Sequence, residues 1–204
     1  MSNFCLAKDL RNKAELAKIP GDKPGWYRWW ASEKALKSLL NSPFIQKQYL
    51  DELLPHLKTH SWAGKTFFYV YVGIAVKESI RDRLNWHVNQ RHAKSSVKSG
   101  FLSTLRQSIS SLVAGDQSKK AATNHLIDEL LIEYWALDYP IGSVNAKDAI
   151  EQIEQDELAN NVLPLNIQDN RNPVVGDFLA ELSKARSLSK AKGIAFFVNP
   201  STPT

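Results

Sequence analysis

A single cysteine, Cys5, occurs in 204 residues. One thiol builds neither an intrachain disulfide framework nor a cysteine-based zinc site. A reducing compartment is expected. Long apolar runs are missing as well: no stretch approaches the roughly 18–20 consecutive apolar residues of a membrane span. The opening MSNFCLAKDLRNKAELAKIP has no basic start followed by an apolar block and does not read as a secretory signal. The expected location is cytoplasmic, with no membrane partner. Glycine is scarce, with nine residues that never cluster as GxGxxG, and GxxxxGK[ST], GxSxG and HExxH are absent too. Those absences argue against a P-loop nucleotide site, a hydrolase nucleophile elbow and a zinc protease. What is present is ordinary for a globular chain: 43% hydrophobic and 23% charged residues. The length suits one domain, 1–204, with room for insertions.

Charge gives the first hint of a partner. Lys and Arg number 26 against 21 Asp and Glu, a net +5. The excess is concentrated. Residues 77–120 hold nine basic residues (Lys77, Arg81, Arg83, Arg91, Lys94, Lys98, Arg106, Lys119, Lys120) against Glu78, Asp82 and Asp116, so this stretch alone supplies 9 − 3 = +6. A solvated helical face explains such a run; so does a flank that meets phosphates.

Hydrophobic patterning outlines the elements. Residues 4–18 read as a short amphipathic helix, and the Pro/Gly-rich 19–25 breaks the chain. The aromatic run 26–30 reads as a strand, and 33–40 as a helix capped by Ser32. A second helix is expected over 45–57 and a loop over 58–64. Residues 65–75 (KTFFYVYVGIA) form the clearest strand, apolar enough for burial on both faces. Strict alternation puts Tyr69 and Tyr71 on one face. Helices follow over 79–88, 101–113 and 123–129, with a basic, mobile loop over 89–100. Residues 130–137 read as a strand, 145–160 as a helix, 163–166 as extended, and 174–188 as a helix. The stretch 195–198 suggests a strand or packed extended segment, and 199–204 a frayed end. Three strands separated by helices make a small central sheet with helices packed on it, an α/β (strictly α+β) class.

The residue types that carry chemistry are scattered: Gly25-Trp26-Tyr27, Tyr71-Val72-Gly73, Arg83-Leu84-Asn85-Trp86-His87, Glu154, and Pro164-Leu165-Asn166. Together they suit phosphodiester hydrolysis. Glu154 offers a hard oxygen ligand to a divalent cation such as Mg²⁺. Arg83 suits a phosphate clamp, and a tyrosine or histidine suits proton transfer from the attacking water. Arg83 and His87 are i and i+4 on a helix and share a face.

In that order these residues resemble the GIY-YIG nucleases. Gly25-Trp26-Tyr27 matches the first signature and Tyr71-Val72-Gly73 the second. Arg83-Leu84-Asn85-Trp86-His87 matches the arginine-led R-L-x-x-[HY] run. Glu154 matches the metal-binding glutamate and Asn166 the closing asparagine, 166 − 154 = 12 residues apart. The resemblance covers 24–166, and the run 100–106 (GFLSTLR) is similar to an insertion in a bacterial subgroup. It implies a small, mostly antiparallel three-stranded sheet flanked by helices, with helical insertions at about 33–57 and 89–129 and a C-terminal extension over 167–204. It implies Tyr27, Tyr71, Arg83, His87, Glu154 and Asn166 as catalytic residues, with Glu154 holding one Mg²⁺ or Mn²⁺. Asn166 would brace the active-site backbone. The substrate implied is DNA, with Arg81, Arg91, Lys94, Lys98 and Arg106 as further nucleic-acid contacts.

The chain departs from the family where many members carry a lysine after the second signature; here Ile74 stands there. His87 is the candidate to replace it in deprotonation. The segment from Gly73 to Arg83 is also slightly long, which makes Arg81 a rival phosphate clamp, and Arg106 reads as either a substrate contact or a brace. Without the resemblance, Tyr27 and Tyr71 would be core aromatics and Glu154 one of several helix acids, beside Glu151, Asp156 and Glu157. Two other functions compete: a non-cleaving nucleic-acid-binding module on the same fold, and a protein-interaction domain with a merely solvated basic face.

Overall fold

The computed structural model describes residues 3–198. In chain order the elements are β1 (Asn3–Leu6), a 3₁₀ turn (Ala7–Arg11), α1 (Lys13–Ala17), β2 (Gly25–Ser32), α2 (Glu33–Leu40) and α3 (Leu50–Leu53). Then come β3 (Thr59–Trp62), β4 (Lys65–Ala75), α4 (Ile80–Asn89), α5 (Lys94–Ser99), α6 (Thr104–Val113), α7 (Lys120–Ile127), β5 (Leu130–Ala136), α8 (Val144–Asn160) and α9 (Gly176–Val198). The strands form one sheet in the order β1-β5-β2-β4-β3, with every neighbouring pair antiparallel.

The expected three strands are the centre of this sheet, β5-β2-β4. Two edge strands were not anticipated, so a three-stranded sheet is corrected to five. β1 takes Phe4–Leu6 out of the expected helix over 4–18 and pairs them with β5. β3 replaces the expected loop over 58–64. It is joined to β4 by Ala63-Gly64, both at positive φ (49° and 74°), the two-residue turn that matches strand twist. Alanine rather than asparagine or aspartate at the first turn position hides that signal. The expected helix over 45–57 shrinks to α3 and one 3₁₀ turn, and the expected loop over 89–100 contains α5. Residues 163–166, expected to be extended, contain a turn at 164–165. Residues 195–198 are the last turn of α9, not a strand: a short apolar run does not by itself distinguish the two states. The frayed end expected over 199–204 lies outside the described residues.

Two cores flank the sheet. One is built from Tyr27, Trp29, Val70 and Tyr71 of the sheet against α2, α4, α6 and α9. The other packs Trp26, Trp30, Tyr69 and Val72 against Ala146, Ile150 and Leu158 of α8. α2 shows why these helices form. Ser32 Oγ caps it by accepting from Ala35 N at 3.2 Å, and Leu36, Leu39 and Leu40 are fully buried. Each such leucine contributes about 1.5–3 kcal/mol.

One irregularity in β4 decides which tyrosine faces the site. Trp29 pairs with Tyr71, but Trp30 pairs with Tyr69, so Val70 is an extra residue. Such a bulge re-aims the side chains beyond it. Tyr69 and Tyr71 therefore fall into opposite cores, not on one face as alternation implied.

Candidate active site

β2 and β4 bring the two signature runs together. Gly25 lies opposite Ala75, Tyr27 opposite Gly73, and Trp29 opposite Tyr71. The Tyr27 ring lies across Gly73: a Cβ there would sit 2.4 Å from the Tyr27 hydroxyl. Gly25 is similarly tight, since its Cβ would meet Trp135 O at 2.1 Å. Both signature glycines are thus set by close approach.

α4 delivers Arg83 and His87. Ser79 caps it, accepting from Asp82 N at 3.0 Å and donating to Asp82 Oδ2 at 2.7 Å. His87 is buried, and its Nε2 lies 2.5 Å from the Tyr27 hydroxyl. Its Nδ1 is buried without a partner among the described residues. Burial, then the charges of Arg83 and Arg106, hold its pKa well below the usual imidazole value, so the ring is neutral. Burial raises Tyr27 well above the usual phenol value, with Tyr71 adding to the effect and Arg83 opposing it. The site therefore holds a neutral phenol against a neutral imidazole. Arg83 is half-buried, 2.8 Å from Glu78 Oε1 through Nε, with its guanidinium 5.0 Å over the Trp86 ring.

Beside this pair lies a cleft of about 260 Å³ lined by Tyr71, Thr104, Glu154, Asn166, Asp169 and Arg186, among others. Tyr71 shares a 2.9 Å hydrogen bond with Thr104 Oγ1. Asn166 closes the edge of β4 beyond the end of β3: its Oδ1 accepts from Val72 N and its Nδ2 donates to Val72 O, both at 2.9 Å. Leu165 N adds a bond to Val70 O at 3.0 Å. The Pro-Leu-Asn turn thereby serves as a missing strand.

Glu154 is half-buried on α8. Burial first, then Asp169 and Glu151, push its carboxyl up to about 7, with Arg83 pulling the other way. α8 is tied to the sheet one turn away by Glu157, which accepts from Arg28 Nη2 at 2.5 Å and from Tyr69 at 2.8 Å. A hard oxygen donor with no ion-pair partner among the described residues fits a divalent cation. No group of three or more ligating side chains occurs among those residues. The fit is to a cation that keeps most of its waters.

The basic residues divide. Arg91, Lys94 and Lys98 are exposed on the segment after α4. Arg81 is half-buried and tied to the chain before β2: its Nε and Nη2 donate to Ile19 O (2.6 Å) and Ala17 O (3.1 Å). Arg106 is fully buried; its guanidinium binds His92, the carbonyls of His87 and Val88, and Asn124. It is a brace that fixes the end of α4, not a substrate contact. Thr104, Gln107, Asp169 and Arg186 were not singled out. Thr104 lies in the GFLSTLR run, but Arg186 lies beyond the segment that carried the resemblance and has no local signature.

A mixed α+β domain with an antiparallel sheet thus presents Tyr71, Arg186 and the carboxylates of Glu154 and Asp169 on one cleft, with Arg83 and the Tyr27–His87 pair beside it. The family profile described as the GIY-YIG catalytic domain matches residues 25–188, and the chain belongs to that family. The match takes in the first half of α9, which the resemblance had left as an extension. Comparison with curated proteins and with solved structures gives no significant match. Membership suggests a nuclease-type function acting on nucleic acid. No helix among the described residues is long and apolar enough to cross a membrane.

Proposed function

We propose that the protein is a metal-dependent endonuclease that hydrolyses DNA phosphodiester bonds. The observation that carries this reading is the contact of 2.5 Å between Tyr27 and His87, both neutral and buried, beside Arg83 and the Glu154 cleft. Such an arrangement relays a proton. Tyr27 takes a proton from the attacking water while its own passes to His87 Nε2. The water oxygen bonds to phosphorus as the bond to the opposite leaving oxygen breaks. That direction requires the proton of neutral His87 on Nδ1, the nitrogen without a partner. Arg83 binds the phosphate and offsets the charge of the transition state. Because Arg83 also depresses the basicity of His87, a phosphate anion against Arg83 raises it. Substrate binding thus readies the proton acceptor, with no need of the lysine replaced by Ile74.

Glu154 would hold one Mg²⁺ or Mn²⁺. Such an ion supplies Lewis-acid stabilisation of charge on the phosphate oxygens. Exposed Arg91, Lys94 and Lys98 bind flanking phosphates. The experiment is cleavage of supercoiled plasmid and of single-stranded DNA with Mg²⁺ or Mn²⁺, for wild type and Glu154→Ala. Nicking by wild type and none by the variant is expected. Binding without cleavage by both would move the protein to a non-cleaving binding module. Neither cleavage nor salt-dependent binding would leave a protein-interaction domain. Tyr27→Phe is expected to bind DNA normally and to cleave about 10²- to 10⁴-fold more slowly.

A further inference from the structure

Among the described residues Arg186 is the one cation lining the Glu154 cleft, and the reaction as derived does not use it. It sits on α9, outside every motif. Its Nη2 donates to Gln107 Oε1 at 2.6 Å. Gln107 cannot turn its amide the other way without loss, because its Nε2 donates to the carbonyls of Leu102 (2.5 Å) and Gly100 (3.2 Å). The insertion thus holds the guanidinium by one donor and leaves the rest of its fork free of any carboxylate within 4.0 Å among the described residues. Thr104, one turn before Gln107 on α6, holds Tyr71 in the same way.

A half-buried guanidinium without a counter-ion is unfavourable unless an anion completes it. Burial pulls its pKa below the usual arginine value, with Tyr71 opposing the shift; Glu154 and Asp169 line the same cleft without forming an ion pair with it. A second groove continues from Arg186 along α9, past Ser183 and Ser187, to Lys190. Arg186 and Lys190 are i and i+4, so their side chains stand about 6 Å apart on one face. Lys190 is also in no ion pair among the described residues. Two cations one turn apart, leading out of a cleft, match the repeating phosphates of a single strand.

We propose that Arg186 binds the backbone phosphate next to the one being cleaved, and that Lys190 receives the strand beyond it. The proposal rests on the nuclease reading. In it, α6 and α9 are part of the substrate site. Gln107 acts through Arg186, as a positioning residue.

The test is binding of a fluorescent single-stranded oligonucleotide of about 12 nucleotides, with Ca²⁺ replacing the catalytic metal, across about 50–200 mM salt. Arg186→Met keeps the apolar stem and removes the charge. It is expected to bind about tenfold more weakly, with the log–log salt slope reduced by about 0.7. Arg186→Lys is expected to keep the slope and lose part of the affinity, since a point charge remains without the fork. Gln107→Leu is expected to weaken binding with the slope unchanged. Should the methionine variant not fold, Arg186→Gln repeats the measurement with a neutral polar side chain. Wild-type affinity and slope in the folded neutral variant, with wild type cutting DNA, would overturn the proposal and leave the nuclease reading standing. A wild type that neither binds the oligonucleotide nor cuts DNA would overturn both.

Discussion

Glu154 carries a charge its surroundings do not favour. Its carboxyl is pushed up to about 7, above the value for an unfolded chain, so the native state binds this proton more tightly. The sign follows: its contribution is present at low pH and is lost as pH rises from the unfolded value through about 7. Glu154→Gln is therefore expected to be more stable than wild type at pH 8 in metal-free buffer, by about 2 kcal/mol, as read by thermal melting. At pH 4.5 the difference should vanish. Gly73 makes the opposite point. Its missing Cβ is where the Tyr27 hydroxyl rests, so Gly73→Ala must displace the phenol or the strand. A loss of about 1–3 kcal/mol is expected, together with a larger proportional loss of cleavage, because the contact with His87 goes with the phenol.

Among the elements, the legible ones had long, unmixed patterns. β4 and α2 match their expected bounds end for end, since eight aromatic or β-branched residues in eleven, or a capped leucine stripe, admit one reading. β1 and β3, four residues each, have too few positions to show a period. Their existence depends on the partner strand. The bulge at Val70 is invisible for the same reason: register is a property of two strands. Asn166 belongs to this scale. It supplies β4 with two bonds that a neighbouring strand would otherwise make. Asn166→Leu leaves the Val72 N–H and C=O buried and unpaired, which costs about 2–4 kcal/mol. Faster hydrogen exchange at Val72, with exchange at Trp29 less affected, is the expected signature. Loss of cleavage should follow from the movement of Tyr71, its neighbour in the strand.

Across the whole molecule, two buried histidines make the fold sensitive to acid. His87 is held neutral by burial and by Arg83 and Arg106; His92, held by burial and Arg106, is pushed down to about 4. The unfolded chain protonates both near 6.5, and the native state does not. Stability is therefore complete above about pH 6.5 and falls as pH drops toward 4, with each histidine adding a slope of up to about 1.4 kcal/mol per pH unit. Denaturant titrations at a series of pH values measure it, and His92→Gln should flatten the slope. By itself, the order of residues determined the class of fold, the central strands, the helices beside them and the signature residues of the family. Those features arise from local periodicity and short motifs. The tertiary structure alone decided that Tyr69 and Tyr71 enter opposite cores, that Arg81 is tied to the backbone before β2, and that Arg106 is a buried brace. It also decided that Arg186 joins the cleft. Each depends on pairing, burial or convergence between segments far apart in the chain, and no local pattern encodes those.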